Sequence, residues 1–325
     1  MRHTQIEMTL TLFLIVWISL LGCKSSSSNR VAPSSSVSPT PISTSDQTTV
    51  EKQLESRLAE IAKQAQGSVG IAVVHVESGR RVMLQGNTPL PLYSVFKLPL
   101  AITVLKEVEA NRLQVEQPVH VTPDEVVSGT PENTALWSNP VDRTIAQLIE
   151  LSISRSDNTS TDKLLQLVGG PERVNEQMRA LGFQKFEIHF SVTDYVKARQ
   201  NLNNGTAEDL VNLLTQLQQG KILQPDHTKL LIRYMQGATT GLKRLRGDLP
   251  AGTLVADKTG SGEREQQANI PKATNDVGII TLPNGRGNLA IAVLVSGSTL
   301  SDVEQEKLIA QVARTAYDTY TNHQK

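Results

Sequence analysis

Strand-like and helix-like segments are not interleaved along this chain. The strands lie towards the two ends of the body and the helices between them, and that order leaves few folds open. Residues 68–76 (SVGIAVVHV) form a continuous apolar run of strand length, and residues 81–84 follow across a Glu77-Ser78-Gly79-Arg80 turn. Strand signals return only over 253–258, 277–282 and 288–296, and the last two flank Pro283-Asn284-Gly285, a hairpin sequence. Apolar residues at helical spacing (Val50, Leu54, Leu58, Ile61, Ala62) precede the first strand, and another set (Val303, Leu308, Val312, Tyr317) follows the last within 301–319. The middle reads as helices over 141–154, 159–168, 172–181, 206–219 and 229–235, with Thr206 as an N-cap ahead of Glu208 and Asp209. The expected fold class is therefore α+β. A mainly antiparallel sheet, residues 48–90 and 241–325, is flanked by the terminal helices, and an all-helical part, residues 91–240, is inserted in it.

The ends and the composition narrow the setting. Arg2 and His3 precede an apolar run over 10–21 that is short for a membrane span, so residues 1–23 read as an export signal. The signal ends in Leu20-Leu21-Gly22-Cys23, which resembles a bacterial lipobox. That resemblance implies a lipid anchor on Cys23 and a place on the periplasmic side of a bacterial membrane; an ordinary signal peptide or an embedded anchor is the other reading. Residues 24–47 are rich in Ser, Thr and Pro and read as a mobile linker, with the folded body starting at Thr48. Formal net charge is zero, so no basic excess points to nucleic acid. Cys23 is the only cysteine and the six histidines are scattered, so neither a disulfide framework nor a metal or other cofactor is expected. The chain is expected to act as a monomer.

The chemistry starts at Tyr93-Ser94-Val95-Phe96-Lys97, which opens an apolar helix. Ser94 and Lys97 are three residues apart and so share a helical face. A serine hydroxyl is a poor nucleophile until a neighbour takes its proton, and a lysine does so only when burial lowers its pKa. Leu92, Val95, Phe96 and Leu98 supply apolar flanks for that. The pattern Ser-x-x-Lys is weak alone and recurs at Ser160–Lys163, which reads as a solvated helix face. Two more motifs raise the first copy above chance. Ser156-Asp157-Asn158 sits between two helices, and Lys258-Thr259-Gly260 ends a strand just before a Ser261-Gly262 loop.

The three motifs in this order resemble class A β-lactamases and the related penicillin-binding proteins. Phe96-Lys97-Leu98-Pro99, Asn158-Thr159, Gly169-Gly170-Pro171 and Asn275-Asp276-Val277 extend the likeness over nearly all of residues 48–320. The resemblance implies Ser94 as the acylated nucleophile, Lys97 as its proton acceptor and Ser156 as a relay to the leaving nitrogen. It implies Asn158 on the substrate's side-chain amide, and Lys258 and Thr259 on its carboxylate. The backbone N–H groups of Ser94 and Ser261 would form the oxyanion hole, a kind of stabilisation worth ~3 kcal/mol per donor. Arg244 falls where some members carry a carboxylate-binding arginine; a solvated surface arginine is the alternative.

Two departures bear on the activity. Class A β-lactamases carry an Arg-x-Glu-Pro-x-x-Asn loop whose glutamate activates the deacylating water. Here residues 188–195 read IHFSVTDY, the counterpart of that glutamate is Val192, and the nearest carboxylates are Glu187 and Asp194. Residues 262–272 also insert a polar stretch after the active-site strand. The pattern looks like the small class-A-like penicillin-binding proteins of cyanobacteria, which are D-alanyl-D-alanine peptidases. The expectation is a serine hydrolase acting on peptidoglycan stem peptides and acylated by β-lactams. A true β-lactamase with another base, or an acylated sensor without turnover, are the alternatives.

Overall fold

The computed structural model describes residues 44–198, 203–262 and 272–322. Helix α1 (Thr44–Lys63) leads into a hairpin of β1 (Ser68–His75) and β2 (Arg81–Leu84). After β3 (Leu90–Pro91), a 3₁₀ turn (Tyr93–Phe96) runs straight into α2 (Lys97–Glu109). The middle of the chain contains β4 (Pro118–Val121), α3 (Pro131–Ala135), β5 (Val141–Thr144), α4 (Ile145–Ser154), α5 (Asn158–Val168) and α6 (Pro171–Ala180). Next come α7 (Val192–Ala198), β6 (Asn204–Gly205), α8 (Ala207–Gln218) and α9 (Pro225–Gln236). The chain then returns to the sheet with β7 (Val255–Gly262), β8 (Ala273–Thr281) and β9 (Asn288–Ser296), and closes with α10 (Asp302–Asn322).

The main sheet is antiparallel, in the order β2-β1-β9-β8-β7, so the first and last parts of the body pair at β1 and β9. Both its faces are covered, which is why β1 and β9 read as unbroken apolar runs rather than alternating ones. Successive residues still divide between the faces. Ile71, Val73, Ile291, Val293 and Val295 pack with Leu54 and Leu58 of α1 and with Leu308 and Val312 of α10. Ala72, Val74, Ala290, Ala292 and Leu294 pack with α2 and α8 on the other side. The architecture is the α+β arrangement expected from the order of elements.

Several local features differ from the sequence reading. Helix α1 begins at Thr44, inside the stretch read as linker. Residues 141–144 are not the first turn of a helix; they pair with Pro118–Val121 as a short ribbon. The helix starts at Ile145 because Thr144 caps it: its hydroxyl accepts from Gln147 N, and the Gln147 side chain accepts from Thr144 N, a capping box. Strand β7 does not end at Lys258-Thr259-Gly260 but stays paired with β8 as far as Gly262 opposite Ala273. The second Ser-x-x-Lys copy is not a solvated face. Ser160 is fully buried and bonds to Asp157, while Lys163 is paired with Glu125. Cys23, the export signal, the linker up to residue 43 and residues 263–271 of the polar insertion lie outside the described residues.

The sheet is tied to the segment ahead of the 3₁₀ turn by one side chain. Asn275 of β8 is wholly buried; its Nδ2 donates to the carbonyls of Pro91 (2.8 Å) and Leu92 (3.2 Å), and its Oδ1 accepts from Val295 N (3.1 Å). Replacing it removes three bonds at a site water does not reach. Asn275→Ala is expected to lower unfolding stability by about 2–4 kcal/mol in a urea titration, with the slope unchanged. A loss below about 1 kcal/mol would show that this clamp is dispensable.

Candidate active site

The nucleophile turn is held against β7 by what β7 lacks. A Cβ at Gly260 would collide with the Leu92 carbonyl oxygen, and one at Gly262 with the Tyr93 ring. Glycine at both positions lets the turn lie directly on the strand. Tyr93 itself has φ of 46°, in the left-handed region, immediately before Ser94. Ser94 is half-buried and faces a pocket of about 140 Å³ that Asn158, Val192, Tyr195 and Ser261 also line.

Lys97, the first residue of α2, is wholly buried. Its Nζ donates to the carbonyl oxygen of Ser156 (2.6 Å) and to Asn158 Oδ1 (2.8 Å), and lies 3.3 Å from Ser156 Oγ. Burial pushes its pKa down to about 7, while Asp157 and Asp162 pull it the other way. Near neutral pH a large fraction of this lysine is therefore an unprotonated amine able to accept a proton.

Ser156 occupies the turn between α4 and α5 with φ of 55°, a left-handed conformation that costs a non-glycine residue of order 1–2 kcal/mol. Buried Asp157 fixes the turn. It caps α5 by accepting from Ser160 N (2.7 Å) and accepts from Trp137 Nε1 (3.2 Å). The turn delivers Ser156 Oγ between Lys97 and Lys258, whose Nζ donates to it at 3.1 Å. Lys258 is also wholly buried and donates to the Thr259 carbonyl (2.8 Å). Burial, and then the neighbouring Lys97, hold its pKa well below the usual lysine value.

The edge of β7 completes the site. Thr259 Oγ1 bonds to Thr240 Oγ1 (2.6 Å). Arg244 is 8% exposed and so is not a solvated surface arginine. Its Nη2 donates to Ser261 Oγ (2.6 Å), its Nη1 to the Asn275 carbonyl (2.9 Å), and its Nε pairs with Glu306 (3.3 Å). The structure thus brings Ser94, Lys97, Ser156, Asn158, Lys258, Thr259, Ser261 and Arg244 to one place.

The two carboxylates named as substitutes for the missing glutamate stand elsewhere. Glu187 is exposed, and its backbone pairs with Asn204. Asp194 is exposed, accepts from Ser191 Oγ (2.7 Å), and borders a separate hollow with Asp162 and Pro171. Among the described residues lining the Ser94 pocket there is no carboxylate, and Val192 forms part of its wall. Sequence reasoning missed Asp162. This buried side chain accepts from the backbone N–H groups of Val192 and Thr193, both at 2.8 Å, and so holds the start of α7. The available signal was its position four residues after Asn158, one helical turn from the motif.

A serine on a tight turn, a neutralisable lysine and a bridging hydroxyl are the parts of a serine acyl-enzyme site on an α+β scaffold. The chain belongs to the β-lactamase enzyme family, whose family model matches residues 53–320. Extended-spectrum β-lactamase PER-1 of Pseudomonas aeruginosa is 36% identical over 275 residues, covering 82% of this chain and 86% of that protein. β-Lactamase VEB-1 of Pseudomonas aeruginosa is 30% identical, covering 83% and 91%. Among solved structures, a β-lactamase from Chitinophaga pinensis superposes with a TM-score of 0.78 at 35% identity, covering 82% of this chain and 98% of that one.

Two outcomes follow from this geometry. Acylation by a β-lactam should be level above about pH 7 and fall up to tenfold per pH unit below it, because protonation removes the amine form of Lys97. A flat rate–pH profile down to about pH 5 would remove Lys97 as the base. Ser156→Gly and Ser156→Ala both delete the hydroxyl and should both slow acylation. Only glycine relieves the left-handed backbone, so the glycine variant should be more stable by about 1 kcal/mol in chemical unfolding. Equal stabilities would show that the turn stores no such strain.

Proposed function

We propose that the chain is a penicillin-binding serine hydrolase of D-alanyl-D-alanine peptides, one that β-lactams acylate at Ser94 and leave slowly. The observation that carries this reading is Val192 in the wall of the Ser94 pocket, at the position where the resemblance leads one to expect a base. Acylation needs Ser94, Lys97 and Ser156, and a buried lysine bonded to the Ser156 turn suits it. Deacylation of a penicilloyl ester needs a water with a positioned base, worth ~10²–10⁴-fold. A peptide ester differs because its leaving group departs and makes room for water or an amine. In this reading Asn158 bonds the substrate amide, and Lys258 and Thr259 hold its carboxylate. Arg244 strengthens the positive field through Ser261, and the backbone N–H groups of Ser94 and Ser261 polarise the carbonyl. Lipidation at Cys23 would hold the enzyme on the periplasmic side of the membrane within reach of peptidoglycan.

A true β-lactamase is the second reading, favoured by the names that PER-1 and VEB-1 carry. It requires a carboxylate such as Asp194 to leave Ser191 and turn towards Ser94. The two readings separate when the purified chain is mixed with benzylpenicillin and a chromogenic cephalosporin, and covalent mass and product are followed together. A lasting adduct on Ser94 with little product is expected. Val192→Glu should then speed release of the adduct by on the order of 10²-fold. Rapid turnover in the native chain that is lost in Asp194→Ala would establish the second reading instead. A lasting adduct with no cleavage of any D-alanyl-D-alanine peptide would mark an acylated sensor.

A further inference from the structure

Apart from the Ser94 pocket the protein carries a groove of about 690 Å³, lined in part by Arg143, Arg155, Arg233, Glu150, Tyr234 and Thr239. The groove adjoins the catalytic residues through the backbone. Arg155 directly precedes Ser156. Thr239 donates from its N–H (2.9 Å) and its hydroxyl (3.2 Å) to the Ser154 carbonyl, and its neighbour Thr240 bonds to Thr259.

Three arginines against one glutamate make this a positive concavity on a chain of zero net charge. None of the three is in an ion pair among the described residues. Elsewhere, by contrast, Arg112 and Arg173 pair with Glu107, Arg179 with Glu172, Arg246 with Asp257 and Arg314 with Asp318. Two of the three guanidinium groups also lie against aromatic rings. The Arg143 guanidinium lies 6.0 Å from the centroid of the Trp137 ring, whose Nε1 is fixed by Asp157, and its Nε is buried without a hydrogen-bond partner. Arg233 lies over the Tyr234 ring at 5.6 Å. The backbone carbonyl of Arg155 is fixed by Asn133 Nδ2 at 3.0 Å. Planar guanidinium groups resting on aromatic faces are preorganised for carboxylates.

We infer that this groove binds the carboxylate-bearing peptide on the amine side of the scissile bond, as the strand that leaves Ser94's substrate or as the amine that attacks its acyl-enzyme. The placement follows from Ser156 and Lys258. Ser156 directly follows Arg155 of the groove and accepts from Lys258 Nζ, and in the reading above these two residues serve the leaving nitrogen and the substrate carboxylate. In the transfer direction the amine nitrogen bonds to the acyl carbon and the ester bond to Ser94 Oγ breaks. The amine's proton passes by way of Ser156 and Lys97 back to that oxygen. The class of substrate therefore extends to cross-linked or acceptor peptides with several carboxylates. This deepens the peptidase reading and rests on it.

The test uses the intact chain, acylated from an ester donor ending in D-alanyl-D-lactate. The acceptors are a D-amino peptide with two carboxylates and the same peptide as its diamide. The native chain should favour the dicarboxylate over the diamide in transfer relative to hydrolysis by about tenfold. Arg233→Gln and Arg143→Gln should each reduce that preference, and the double variant should remove it, while acylation by benzylpenicillin stays unchanged and certifies the fold. Equal transfer to both acceptors in the native chain, or an undiminished preference in the double variant, would overturn the inference. If the donor fails to acylate the chain, or penicillin is turned over rapidly, the peptidase reading fails separately. Calorimetric binding of the dicarboxylate peptide then decides the groove: affinity lost in the double variant and in high salt supports it, and no binding by the native chain sinks it.

Discussion

Two lysine side chains withdrawn from water, with no carboxylate paired to either among the described residues, are the arrangement on which this site depends. A buried ammonium is costly, and the cost falls when the group gives up its proton. Ser156 Oγ lies 3.3 Å from one Nζ and 3.1 Å from the other, so a charge on either lysine disfavours a charge on its partner. The three groups come from α2, from the α4–α5 turn and from β7. The pair therefore exists only when the helical and sheet parts are docked. Gly260, Gly262 and Asn275 permit and secure that docking, and the left-handed backbone at Ser156 is strain that the docked structure can sustain.

Two buried acids lie behind the catalytic edge, one on β7 and one on β8. Alternation places Asp257 on the face of β7 away from Lys258, and the register with β8 puts Asp276 opposite Thr259 on that same far face. Burial pushes Asp257 up to about 6 although Arg246 opposes it. Asp276 is raised further, by burial and then by Asp257. These acids pull the Lys258 pKa back up, against its burial and against Lys97. Arg244 and Arg246 lie against the same edge and cover it, Arg244 bonding to Ser261 and Arg246 to Asp257. The electrostatics of the catalytic edge are thus set by charges on both sides of one strand.

Residues that sit in a short motif or act within a turn were legible in the sequence, and features made by a distant partner with no motif to mark them were not. Ser94 and Lys97, Ser156 to Asn158 and Lys258-Thr259-Gly260 could be placed as motifs, and the Thr206 cap and the Pro283-Asn284-Gly285 turn because each acts within a few residues of itself. The ribbon over Val141–Thr144 exists because Pro118–Val121 lies beside it, which periodicity does not reveal; the helix itself starts after the Thr144–Gln147 capping box. Ser160 looked solvated because its helix carries polar residues on more than one side. The Asp157 carboxylate and the packing of α2 against α5 turn it inward. Arg244 could be read either way until the strand edge it braces was in view.

The Val192 segment shows what the missing carboxylate does and does not mean. Its backbone is held from three sides. Asn175 bonds both the N–H and the carbonyl of Ile188, Asn203 accepts from His189 and Phe190, and Asp162 caps Val192 and Thr193. Such a set of buried polar staples fixes a loop rather than letting it drift. The change from the family pattern is therefore one of side-chain chemistry on a held frame, an apolar wall where a water-activating group would stand. An ester at Ser94 would face that wall. Water gains no base from Val192, whereas an amine whose carboxylates the groove holds would be delivered at high effective concentration. Under the proposed peptidase reading, the balance between hydrolysis and transfer would then rest on the amine that the groove holds.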